Sequence, residues 1–83
     1  MKIKYVIFDK SYSVLVSEAV GHNEIRLSGR YADMKPTSAG FCTITQENEE
    51  TIVNCFGESI SLDLKCDKEN DERIIKKIFN YYY

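Results

Sequence analysis

The spacing of apolar residues changes once along this chain, at Asp67, and that change restricts the fold more than any other feature. Before it, apolar side chains recur at every second position in short runs, the period at which successive side chains point to opposite faces of a strand. After it, Ile74, Ile75, Ile78, Phe79 and Tyr82 fall at the i, i+1, i+4, i+5 and i+8 positions of a single helical stripe. Strand faces and one terminal helix must therefore bury each other.

The strand runs differ in how many faces they can bury. In KIKYVIF, Ile3, Tyr5 and Ile7 alternate with Lys4, Val6 and Phe8, so the segment suits a strand covered on both sides rather than an edge. The turn residues DKSYS and the run SVLVSEAV follow, predicting an antiparallel hairpin because the connection is so short. EIRLSGRY predicts a third strand, with Ile25, Leu27 and Gly29 inward and its charges outward. A second hairpin, GFCTIT and TIVNCFG around the acidic turn QENEE, takes a register when centred on Asn48 and Glu49. Phe41 then faces Phe56, Cys42 faces Cys55 and Ile44 faces Val53. After a turn at Gly57 and Glu58, SISLDLK predicts a last strand with Ile60, Leu62 and Leu64 on its buried side.

The helix has Asp67 or Asn70 to cap its free N–H groups and Glu69, Asp71 and Glu72 at the positive end of its dipole. Lys76 and Lys77 are placed toward the negative end, and Glu72 is spaced to pair with Lys76. The resulting expectation is an α+β domain: an antiparallel sheet of five to six strands, rich in β-hairpins, with one C-terminal amphipathic helix packed on one face. The alternative is a small, partly open β-barrel plugged by the helix, since Gly29, Gly40 and Gly57 suit bulges in either. With 83 residues there is material for one domain and one core.

Composition excludes whole classes of function. A hydrophobic content of 43 % with 29 % charged residues is that of a folded domain and not of a disordered chain. A net charge of −2 supplies no global attraction to phosphate backbones, so nucleic acid is a secondary expectation. No apolar run approaches the roughly 20 residues of a membrane span, and residues 1–30 lack a signal-peptide pattern, which predicts a cytoplasmic protein with no membrane partner. The abundance of Lys, Asn, Ile and Tyr suits an AT-rich coding sequence, as in an accessory protein of a bacterium, phage or mobile element.

KPTSAGFC, Lys35 to Cys42, is the nearest approach to a chemical motif. It lacks the closely spaced glycines of a phosphate loop, and neither Ser38 nor Ser59 stands in a G-x-S-x-G elbow. Pro36 and Gly40 predict a hydroxyl-rich turn that crosses between the first three strands and the rest, with a strand beginning near Phe41. His22, between Gly21 and Asn23, reads as a solvent-facing turn residue. Cys42 and Cys55 read as two thiols packed in the core, with a strained cross-strand disulfide as the alternative, and Cys66, just before the helix, as the most reactive of the three. Their spacing matches no metal motif, and no metal, cofactor or catalytic residue is expected.

Two groups remain as candidate binding residues. Arg26, Arg30, Tyr31 and Lys35 combine positive charge with an aromatic ring, which suits an acidic partner or a single nucleic-acid strand. Tyr81 and Tyr83 belong to a run of three aromatics that cannot share one helical face, and exposed tyrosine is common at interfaces. The expected function is a small non-enzymatic interaction module that binds a protein partner or forms a homodimer. A β-rich domain for single-stranded nucleic acid is the alternative.

Overall fold

The computed structural model describes residues 2–17, 19–22, 25 and 33–82, with 79–82 described as helical backbone. Strands β1 (Lys2–Phe8), β2 (Tyr12–Ser17), β3 (Pro36–Glu47) and β4 (Glu50–Phe56) form an antiparallel sheet in the order β2-β1-β3-β4. Two short strands, β5 (Glu58–Ser59) and β6 (Leu64–Lys65), pair with each other, and helix α1 (Lys68–Tyr82) ends the fold. The sheet is open, with β2 and β4 as its outer strands, and no closed barrel is formed among the described residues.

β1 lies inside the sheet because both of its faces are apolar. Tyr5 and Ile7 join Cys42, Val53, Cys55, Ile74 and Ile75 beneath α1. Val6 and Phe8 point the other way, into a second core with Ala39 and Ile25, to which Val14, Val16, Val20, Met34, Leu62 and Leu64 contribute. The period-2 pattern thus feeds two layers of packing from one strand.

Both long hairpins close through residues with left-handed backbone. Asp9 and Lys10 have φ of 52° and 62°, and Asn48 and Glu49 have 49° and 66°. Positive φ at both central positions matches the right-handed twist of paired strands. The pairs Phe41–Phe56, Cys42–Cys55 and Ile44–Val53 stand opposite one another as the sequence predicts. Gly40 allows the close approach of β4, since a Cβ there would lie 2.6 Å from the Phe56 carbonyl oxygen.

Several local expectations are corrected. KPTSAGFC does not hold a turn: β3 begins at Pro36, a first-residue position at which proline breaks no ladder. The residues expected as one strand over 59–65 instead turn back on themselves, with Asp63 at φ 54° and Ile60 89 % exposed rather than inward. Of the strand expected over 24–31, only residue 25 is described. Ile25 is buried, but its N–H donates to the Gly21 carbonyl at 3.3 Å, as in a helical turn. His22 is buried rather than solvent-facing, with its Nε2–H donating to the Gly40 carbonyl at 2.9 Å and its ring edge-on to Phe41 at 5.6 Å.

α1 starts where its acidic residues can be satisfied. The Asp71 N–H donates to the Asp67 carbonyl at 2.8 Å, and the Asp67 N–H donates back to Asp71 Oδ2 at 3.0 Å. The helix runs on to Tyr82, so Lys76 and Lys77 lie in its middle and not at its negative end. Glu72 pairs with Lys68 at 2.7 Å and not with Lys76, which reaches Glu50 at 3.1 Å. Through Glu72 and Lys68 the helix also closes the outer edge of β4. Glu72 Oε2 accepts the Cys55 N–H at 2.8 Å, and Lys68 Nζ donates to the Cys55 carbonyl at 3.1 Å. A sheet edge satisfied this way is no longer a template for a further strand at that point.

Candidate functional site

The residues singled out from the sequence divide by where they fall. Arg26, Arg30, Tyr31 and Tyr83 lie outside the described residues, and Tyr81 is described only as backbone in the last turn of α1. Lys35 is exposed beside the β1–β2 turn. Its N–H donates to Asp9 Oδ1 at 3.2 Å, and its carbonyl accepts the Asp9 N–H at 2.8 Å.

That turn forms one wall of a groove of about 590 Å³ whose other wall is α1. Lys10 stands on the turn, and Arg73 and Lys77 stand one helical turn apart on α1. Ile74 and Ile78, also four residues apart, provide the apolar floor, with Ser11, Tyr12 and Ser13 completing the β2 side. Among the described residues, no carboxylate lines the groove. A chain with an overall charge of −2 therefore carries a local site of the opposite sign.

Each wall is held from behind. The Lys10 N–H donates to Thr37 Oγ1 at 3.0 Å, and Thr37 Oγ1 donates to the Ile7 carbonyl at 3.2 Å, which ties the turn to β3. On α1, Arg73 Nη2 donates to Asn70 Oδ1 at 2.6 Å, which orients the guanidinium before any ligand arrives. Ser13 faces α1 from β2, and its Oγ is buried without a hydrogen-bond partner among the described residues. Unpaired buried hydroxyls are uncommon, because folding gives up their hydration and returns nothing.

The rotation of α1 is set by one buried carboxylate. Asp71, 0 % exposed, accepts from Tyr5 OH at 2.7 Å, from Ser38 Oγ at 2.7 Å and from the Asp67 N–H. With Asp71 aimed at β1 and β3, Arg73 and Lys77 are carried round toward the β2 side. Burial, followed by hydrogen bonds involving Cys66 and Asp71, raises the Tyr5 hydroxyl well above its usual range. Tyr5 thus stays a donor to the carboxylate.

The thiols lie beneath the same helix. Because the N–H and carbonyl of Cys55 are directed to Glu72 and Lys68, Cys42 and Cys55 form a non-hydrogen-bonded pair across the strands, the closer of the two kinds. They are free and buried, and burial pushes Cys42 up to about 11 and Cys55 up to about 12. Cys66 is raised too, contrary to the activation expected from its place before the helix, because burial outweighs the hydrogen bond with Tyr5 and the positive charge of Lys68. His22 packs with Phe41, on the opposite sheet face from Cys42, so the sheet itself separates the imidazole from the thiol pair. Among the described residues, no group of three or more His, Cys, Asp and Glu is placed to hold a metal ion. No described helix is long and apolar enough to cross a membrane.

Sequence reasoning missed the groove, although half of it was legible. Arg73 and Lys77 flank the apolar stripe at i,i+4 spacing, but Lys10 and Ser13 join them only through the packing of α1 across the sheet. The chain matches no protein-family model, no curated protein and no solved structure.

Proposed function

We propose that this protein is a non-enzymatic interaction module whose binding site is the groove between the β1–β2 turn and α1. Its partner is a protein segment carrying acidic side chains next to apolar ones. One observation carries the reading: Lys10, Arg73 and Lys77 surround an apolar floor of Ile74 and Ile78 with no carboxylate among them. Such a surface attracts a segment by charge and retains it by burying apolar area. The supports at Thr37 and Asn70 lower the ordering cost of binding.

The test is a fluorescence-anisotropy titration with a short labelled peptide of alternating leucine and glutamate. Arg73→Glu with Lys77→Glu is expected to weaken binding by at least about tenfold, because each reversal turns an attraction into a repulsion. A leucine–lysine peptide and labelled single-stranded DNA serve as comparison ligands. If either binds more tightly than the acidic peptide, or if the double reversal leaves binding unchanged, the reading is wrong.

A further inference from the structure

We infer that the groove contains a phosphoryl subsite, so that the segment it takes is a phosphorylated one. This rests on the reading of the groove as a protein-binding site and specifies what that site recognises.

Charge balance is the first argument. Lys10, Arg73 and Lys77 line one space of about 590 Å³, and among the described residues no acidic side chain lines it to offset them. A carboxylate brings one negative charge to such a site. A phosphomonoester brings about −1.5 to −2 at neutral pH, and its three acceptor oxygens can be shared among several donors. Arginine suits this role through its planar fork of donors, and the fork of Arg73 is already held by Asn70.

Ser13 supplies the second argument, independent of the cations. Its hydroxyl is buried on the helix-facing side of β2 with no partner among the described residues, while the residue itself lines the groove. Because Ser13 itself lines the groove, a change of its χ1 rotamer is the step by which Oγ would reach a ligand held there. There it can donate to an anionic oxygen, a stronger bond than one to a neutral acceptor. An orphaned donor beside a cluster of cations is thus explained by an anion that takes its proton in a hydrogen bond. The apolar floor formed by Ile74 and Ile78 receives a neighbouring side chain of the same segment.

The experiment uses the leucine–glutamate peptide in three forms, with serine, glutamate or phosphoserine at its central position. The phosphoserine form is expected to bind about tenfold more tightly than the glutamate form. Ser13→Ala is expected to weaken the phosphoserine form several-fold more than the glutamate form, so that the preference shrinks, and Ser13→Thr, which keeps the hydroxyl, to restore it. Thermal melts of each variant confirm that it is folded. Equal affinity for the glutamate and phosphoserine forms overturns the phosphoryl subsite and leaves the acidic-segment reading intact. Failure of all three forms to bind removes both. Tighter binding of a 5′-phosphorylated oligonucleotide than of the phosphoserine peptide shows that the ligand class is wrong.

Discussion

Ser38 Oγ lies 2.7 Å from Asp71 Oδ1, so a hydroxyl from the proline-containing stretch KPTSAGFC holds a carboxylate buried at the start of α1. Tyr5 OH and the Asp67 N–H complete the set of donors. Asp71→Ala strands these donors and is expected to cost about 3–5 kcal/mol. That is a large part of the roughly 4–12 kcal/mol expected for a domain of 83 residues. Tyr5→Phe removes one donor and keeps the ring, for a loss of about 1–2 kcal/mol. Urea denaturation followed by circular dichroism measures both, and equal losses for the two variants would contradict the role given to Asp71.

The thiols predict a pH dependence with a definite sign. Folded-state values of about 11 for Cys42 and about 12 for Cys55 lie above the ordinary thiol value of about 8.5. A group whose folded value is raised contributes stability that is complete below its unfolded value and is lost as pH rises through the folded one. The urea midpoint should therefore fall progressively above about pH 9, and Cys42→Ala should make that fall shallower. In the native protein at neutral pH, a thiol reagent should modify half-buried Cys66 before buried Cys42 and Cys55.

Glu49 occupies the second central position of the β3–β4 turn with φ 66°. Side chains with a Cβ are strained there, and glycine is not. Glu49→Gly is expected to stabilise the protein by about 0.5–1 kcal/mol, despite the greater freedom of glycine in the unfolded chain. A lowered thermal midpoint would show that this turn is not the type I′ form to which its two positive φ angles point.

Ile60 and Leu64 separate a continuous strand from the two-strand turn that the structure contains. With Ile60 89 % exposed, Ile60→Ser should change stability by no more than about 0.5 kcal/mol. Leu64 packs against the second core, so Leu64→Ala should cost about 1–2 kcal/mol. If the two losses are similar, the segment is a strand with both residues inward.

The legible features share a physical origin. The inner position of β1 follows from apolar residues on both of its faces, and the β3–β4 register follows from matching Phe41 with Phe56 and Ile44 with Val53. The helix follows from its 3.6-residue stripe. The misread segments are those in which tertiary partners override local chemistry. Thr37 and Ser38 look like turn residues but sit in a strand, because one bonds the Ile7 carbonyl and the other bonds Asp71. His22 looks exposed but is buried, because the Gly40 carbonyl accepts its N–H.

By itself, then, the sequence determined the first hairpin, the alignment of the second and the terminal helix, because these depend on side-chain period and on contacts between near neighbours in the chain. Only the tertiary structure decided that the sheet stays open, that Glu72 and Lys68 close the β4 edge, and that Lys10 and Ser13 meet Arg73 and Lys77. Those outcomes depend on how α1 is placed and rotated over the sheet. The partners that hold it there, Tyr5 and Ser38 for Asp71, are 66 and 33 residues away in the chain, beyond the reach of any local pattern.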